Sequence, residues 1–110
     1  MAEIMSEHIV ERAIIMAAGI GQRLRPVTST TPKPLVAVNG VRMIDTIVAA
    51  LYKNGIYEIY VVVGYLKEQF YKWAKKHDGI TLIENPWYAE CNNIASLYAA
   101  REYLSNAIIL

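Results

Sequence analysis

The chain has 110 residues, 55% of them apolar, and a formal net charge of +1. That is enough for one domain or part of one, and far from a disordered composition. The near-zero charge gives no electrostatic pull toward nucleic acid or a membrane surface. One cysteine, Cys91, excludes an internal disulfide and fits a reducing compartment, the cytoplasm.

Residues 1–11 read as a polar lead-in, without the long apolar core of a secretory signal. No apolar run further along is long enough to span a bilayer. "RAIIMAA" (12–18) is a short continuous apolar run and predicts a strand buried on both faces. A long loop, 19–34, follows it. "PLVAV" (34–38) predicts a short extended piece and Asn39-Gly40 a turn. From Val41 the apolar residues Met43, Ile44, Ile47, Val48 and Leu51 fall at helical spacing, with Asn54-Gly55 as the stop. "YEIYVVV" (57–63) predicts a second buried strand, ended by Gly64.

Leu66, Phe70, Trp73 and Ala74 mark a second helix with all of its large apolar residues in the core, closed near Asp78-Gly79. "ITLIE" (80–84) predicts a third strand. "NPWYAECNN" (85–93) is a loop in which Asn-Pro opens a turn. Ile94, Leu97, Tyr98 and Leu104 mark a third helix, with Asn92 or Asn93 as its N-cap. "NAIIL" (106–110) begins a fourth strand, read as buried.

Strands alternating with helices at this spacing predict βαβ units, hence an α/β fold: a Rossmann-like three-layer α/β/α arrangement around a mostly parallel sheet. Such sheets hold ligands beyond the carboxyl ends of their strands. The carboxyl end of the fourth strand is not reached by Leu110. Residues 12–110 are therefore expected to be the N-terminal part of a longer, truncated catalytic domain. An apolar strand with an open edge also predicts self-association into a homo-oligomer.

The loop after the first strand carries the chemistry. In "AAGIGQRLRPVTSTTPKPL" (17–35), Gly19 and Gly21 allow backbone N–H groups to approach a ligand closely. Arg23 and Arg25 supply planar forks that match phosphate oxygens, and Lys33 a mobile point charge. Pro26, Pro32 and Pro34 lower the entropic cost of ordering the loop. Together they describe a site for a polyanion, most simply a nucleoside triphosphate. A P-loop would need GxxxxGK[ST], which is missing after the first strand. A dinucleotide fingerprint would need a third glycine where Leu24 stands, and a ribose-binding acid where Gly64-Tyr65 ends the second strand.

The same string resembles the signature of the NTP-transferase family, the sugar-phosphate and phosphocholine nucleotidyltransferases: a strand, AAGxGxRL-x-P-x-T, then PKxL. Ala17, Ala18, Gly19, Gly21, Arg23, Leu24, Pro26, Thr28, Pro32, Lys33 and Leu35 match it. "VVVGYLKEQF" (61–70) and "NPWYAECNNIASLY" (85–98) look most like the branch that makes CDP-choline from CTP and phosphocholine. A sugar 1-phosphate with another NTP is the other reading within the family. A nucleotide-binding module without chemistry is the reading from a different class.

The resemblance implies nucleotide contacts from Ala17, Ala18, Gly19, Ile20, Gly21 and Gln22. It implies that Arg23 binds the leaving pyrophosphate and that Lys33 stabilises charge at the α-phosphate. Tyr88, Asn92, Asn93 and Ser96 would lie near the base, Asn92 and Asn93 being equally good helix caps. It also implies Mg²⁺, with the metal-binding acids expected after Leu110. The chain's own Asp45, Glu84 and Glu90 form no close pair. His8 and His77 show no metal-ligand spacing and read as surface residues. This polypeptide alone is expected to bind nucleotide without full catalysis.

Overall fold

A computed structural model describes residues 10–19, 30–86 and 93–110, and for 93–95 the backbone only. Four parallel strands form the sheet: β1 (Arg12–Met16), β4 (Glu58–Val63), β5 (Ile80–Glu84) and β6 (Ala107–Ile109), in the order β5-β4-β1-β6. A small antiparallel hairpin, β2 (Ala37–Val38) and β3 (Val41–Arg42), stands apart from it. Helix α1 (Met43–Lys53) follows β3, α2 (Glu68–Ala74) joins β4 to β5, and α3 (Asn93–Ala99) lies between β5 and β6.

The period of two along β1 explains the three layers. Ala13, Ile15 and Ala17 face one core, with Ile59, Val61 and Val63 of β4, against Ile44, Val48 and Leu51 of α1 and Phe70 and Trp73 of α2. Ile14 and Ala18, with Val62, face the other core, closed by Ala100 and by the partly buried Ala99 and Tyr103. Continuous apolar runs in β1 and β4 are thus what a sheet covered on both faces requires.

The Asn39-Gly40 turn has positive φ at both residues, 53° and 81°, the combination that closes a two-residue hairpin with the right twist. Helix α1 ends where Asn54 caps it, its side-chain Nδ2 donating to the Ala50 carbonyl at 2.7 Å, and Gly55 turns left-handed at φ 79°.

One expectation needs correction. Leu66 is not part of the buried core: it is half-buried with φ at 52°, in the bend before α2. Among the described residues β6 pairs with β1 alone, and Ile108, Ile109 and Leu110 are 38, 49 and 45% exposed. His77 is also more enclosed than a surface histidine: its ring lies 4.6 Å from that of Trp73, and Nε2 lies 3.5 Å from Asp45.

The amino ends of the strands are tied by an electrostatic cluster. Glu58 accepts from Arg12 Nε at 2.9 Å and from the Tyr60 hydroxyl at 2.6 Å, and Tyr60 stacks on Tyr103 at 4.0 Å. The Tyr60 hydrogen bond, then Arg12, holds the Glu58 carboxyl below its ordinary 4.5. The Glu58 carboxylate in turn pushes Tyr60 up to about 12. A depressed carboxyl contributes stability above its unfolded pKa, lost as pH falls through the folded one. A raised tyrosine contributes below its unfolded 10.0, lost as pH climbs toward about 12. The thermal midpoint of the wild type is therefore expected to exceed that of Tyr60→Phe near neutrality. The difference should shrink both in acid below the ordinary Glu58 range and in alkali above 10.0. A difference independent of pH would assign the effect to ring packing alone.

Candidate functional site

The chain runs from β1 to β4 to β5 in one direction across the sheet, then returns past both to place β6 on the far side of β1. The order reverses at β1, so the crevice at its carboxyl end is the switch point where open α/β sheets bind ligands. Ala17, Ala18 and Gly19 leave the strand there.

These three residues divide the work. Ala17 and Ala18 are buried at 2 and 4% exposure. The Ala17 N–H donates to the Val62 carbonyl at 2.9 Å, and the Ala18 carbonyl accepts from the Tyr65 N–H at 3.2 Å. Both residues therefore extend the sheet and fix where the loop departs. Gly19 is exposed, and a Cβ built on it would meet nothing within 4 Å. Among the described residues nothing in the packing demands a glycine there, whereas the close approach of a ligand to backbone would.

Lys33 opens a single 3-10 turn, Lys33–Leu35, with Pro32 before it at φ −59°. Pro32 and Leu35 are buried while Lys33 is exposed. The turn packs on α1, and Gln69 Nε2 of α2 donates to the Thr30 carbonyl at 2.5 Å just before it. Two buried anchors thus hold a short rigid turn that presents one cation to solvent. The alternation of prolines around Lys33 encodes that geometry.

At the carboxyl ends of β4 and β5 lies a cleft of about 430 Å³, lined by Val63, Gly64, Leu66, Glu84, Asn85 and Pro86 among others. Asn85 is 1% exposed; its N–H donates to the Val63 carbonyl at 2.8 Å, and its Nδ2 donates to Ser96 Oγ at 3.0 Å. Ser96 is itself 4% exposed. The pair locks the first residue after β5 to α3. Sequence reasoning had read Asn85 only as a turn opener; the buried amide was missed because its partner is 11 positions away. On the rim, Glu84 accepts from Lys67 and from the Tyr71 hydroxyl at 2.7 Å. Lys67, then Tyr71, holds the Glu84 carboxyl below its ordinary range, and Glu84 raises both partners. The left-handed backbone of Leu66 sits in the same cleft, as strained residues often do at functional sites.

The structure therefore brings Ala17, Ala18, Gly19 and Ser96 to the carboxyl end of the sheet, with Lys33 on its own turn. Ile20, Gly21, Gln22, Arg23, Tyr88 and Asn92 lie outside the described residues. Asn93 is described as the first residue of α3 by its backbone. Tyr98 is 59% exposed, with the Arg101 guanidinium 4.2 Å over its ring. Among the described residues no group of three or more His, Cys, Asp or Glu side chains could hold a metal ion. No helix among the described residues is long and apolar enough to cross a membrane.

Known proteins share this arrangement. The chain is 54% identical over 92 residues to a 2-aminoethylphosphonate cytidylyltransferase of Lancefieldella rimae, covering 84% of this chain and 37% of that protein. It is 46% identical over 99 residues to a choline-phosphate cytidylyltransferase of Streptococcus pneumoniae, covering 90% and 43%. A solved structure of the CTP:phosphocholine cytidylyltransferase from Streptococcus pneumoniae superposes with a TM-score of 0.87, covering 93% of this chain and 44% of that one. A UDP-glucose pyrophosphorylase at 15% identity and a TM-score of 0.78 shares the fold. The chain spans less than half the length of these relatives. The sequence profile of the nucleotidyl transferase family matches residues 12–96, which takes in β1, the signature loop, the cleft and Ser96: the chain belongs to that family.

Proposed function

We propose that the protein carrying this chain is a cytidylyltransferase, which moves the cytidylyl group of CTP onto a small phosphate or phosphonate and releases pyrophosphate. The observation that carries the reading is the position of the signature segment. It leaves the sheet at the switch point beside β1, in a chain 54 and 46% identical to two cytidylyltransferases. In the reaction an acceptor oxygen attacks the α-phosphorus in line as the bond to the β-phosphate oxygen breaks. Such chemistry asks the protein for positioning and charge neutralisation rather than covalent help.

The residues take matching parts. Gly19 lets the backbone close on the nucleotide, and Arg23 and Lys33 meet the phosphates. Asn85 and Ser96 tie the end of β5 to α3, and Tyr88, Asn92 and Asn93 meet the base. Mg²⁺ belongs to the reading as the cofactor of the whole enzyme, its protein ligands lying outside the described residues. The acceptor is a small acid that also bears an amino or ammonium group, a feature common to 2-aminoethylphosphonate and phosphocholine. Phosphocholine was favoured on sequence; the 54% relative puts 2-aminoethylphosphonate beside it.

The test is pyrophosphate release by the full protein with each of CTP, UTP, ATP and GTP. Each nucleotide is paired with phosphocholine, 2-aminoethylphosphonate and glucose 1-phosphate. Turnover with CTP and one of the two nitrogen-bearing acids is expected. Preference for a sugar 1-phosphate would overturn the acceptor class, and CTP binding without release of pyrophosphate would favour a binding module. The 110-residue chain on its own is expected to bind CTP without turning it over.

A further inference from the structure

A second cavity lies away from the cleft and shares no lining residue with it. It is a groove of about 700 Å³ between the Lys33 turn with its following hairpin and the solvent side of α2. Leu35, Val36 and Ala37 form one wall, Trp73 the other, and Arg42, Lys72 and Lys76 line it with their charged side chains. Its volume falls in the range of small-molecule sites.

Among the described residues the charges of Arg42, Lys72 and Lys76 have no ion-pair partner. Glu68, one helical turn before Lys72, forms no ion pair with it. Asp45, which meets the groove residue Trp73, is occupied: it accepts from Trp73 Nε1 at 2.7 Å and lies 3.5 Å from His77 Nε2. Lys72 lies in the last turn of α2 and Lys76 in the turn just beyond its end, so two like charges stand close to one another. The carboxyl end of α2 offers its partial negative charge to these cations but no acidic side chain. Three cations around a concave, partly apolar groove, with no acid among its lining residues, form a receptor for a compact multivalent anion.

We propose that this groove binds the pyrophosphate moiety of a small molecule, either free pyrophosphate or the polyphosphate of a nucleotide, as a site additional to the cleft. Arg42 clamps the anion from the hairpin side and Lys72 and Lys76 from the helix side, while a nucleoside, if present, lies along Val36 and Ala37. The wall formed by Leu35 and Val36 is the back of the turn that presents Lys33. An occupant therefore braces that turn from behind.

The indole N–H of Trp73 is a local reporter. The full protein, labelled with ¹⁵N-tryptophan, is titrated in metal-free, low-salt buffer with inorganic pyrophosphate and separately with CTP. Spectra are compared for the wild type, Lys33→Ala, Arg42→Gln and the double variant Lys72→Glu/Lys76→Glu. All four positions are exposed, so the variants are expected to fold, and the unperturbed spectra verify it. Pyrophosphate is expected to shift the Trp73 signal in the wild type and in Lys33→Ala. Binding read from that signal should weaken roughly tenfold or more in the double variant, and less in Arg42→Gln. Tighter saturation by CTP assigns the site to a nucleotide, and equal or tighter saturation by pyrophosphate assigns it to the free anion. Absence of a shift with both ligands overturns the proposal. So does a shift that survives Lys72→Glu/Lys76→Glu, or one abolished by Lys33→Ala.

Discussion

Lys33→Ala is expected to lower kcat/KM for pyrophosphate release by about 10²–10³-fold, the size of effect seen when one preorganised charge-stabilising group is removed. Pro32 and Leu35 are buried on either side of Lys33 and hold its turn against α1. The turn therefore survives when its exposed side chain is removed. Thermal stability should change by no more than about 0.5 kcal/mol, as for other surface substitutions. Lys33→Arg keeps the charge but replaces a compact ammonium with a planar fork and should restore activity only in part. Steady-state kinetics with a melting curve on each variant separate the two effects. A loss under about fivefold, roughly 1 kcal/mol of transition-state stabilisation, would move the charge-stabilising role away from Lys33. If instead KM rises with kcat unchanged, Lys33 binds the ground state and transition state equally.

Gly79→Ala is the stability counterpart. Gly79 has φ 77°, and a Cβ there would lie 2.0 Å from the Tyr57 carbonyl oxygen. The Gly79 carbonyl also accepts the Ile59 N–H at 2.9 Å, so the backbone cannot swing away without breaking the start of the β4–β5 pairing. Left-handed strain of about 1–2 kcal/mol adds to an overpacking cost of about 1–3 kcal/mol. A loss of roughly 2–5 kcal/mol is a large part of the stability of a small domain. Gly55→Ala is the control: its φ is 79°, but nothing lies within 4 Å of the added Cβ. It should cost the backbone strain alone. Urea unfolding of both variants decides the point, and equal losses would show that the Tyr57 contact relaxes at no cost.

Local patterning carried much of the fold. β1 and β4 fall inside the apolar runs 12–18 and 57–63, because a strand covered on both faces must be largely apolar, and β5 matches the run 80–84 with a mixed burial pattern. Asn39-Gly40 and Asn54-Gly55 turn where they do because few residue types accept positive φ. The third helix shows where such reading weakens. Its apolar spacing ran to Leu104, yet α3 ends at Ala99 and a 3-10 turn follows at Arg101–Tyr103. Tyr98, counted among its apolar residues, lies exposed under Arg101. An aromatic ring with a polar tip can serve either side of a helix, and periodicity alone does not choose.

The sequence by itself determined the layer pattern, the element order and the family, since each depends on residues within one short segment: an apolar period, a turn residue, or the 17–35 signature. Only the tertiary structure decided that β6 pairs beside β1, that Asn85 is buried against Ser96, and that Arg42 lines one groove with Lys72 and Lys76. Those facts depend on which strands become neighbours. Neighbour choice follows from how all the apolar faces are buried at once, and no single segment contains that information.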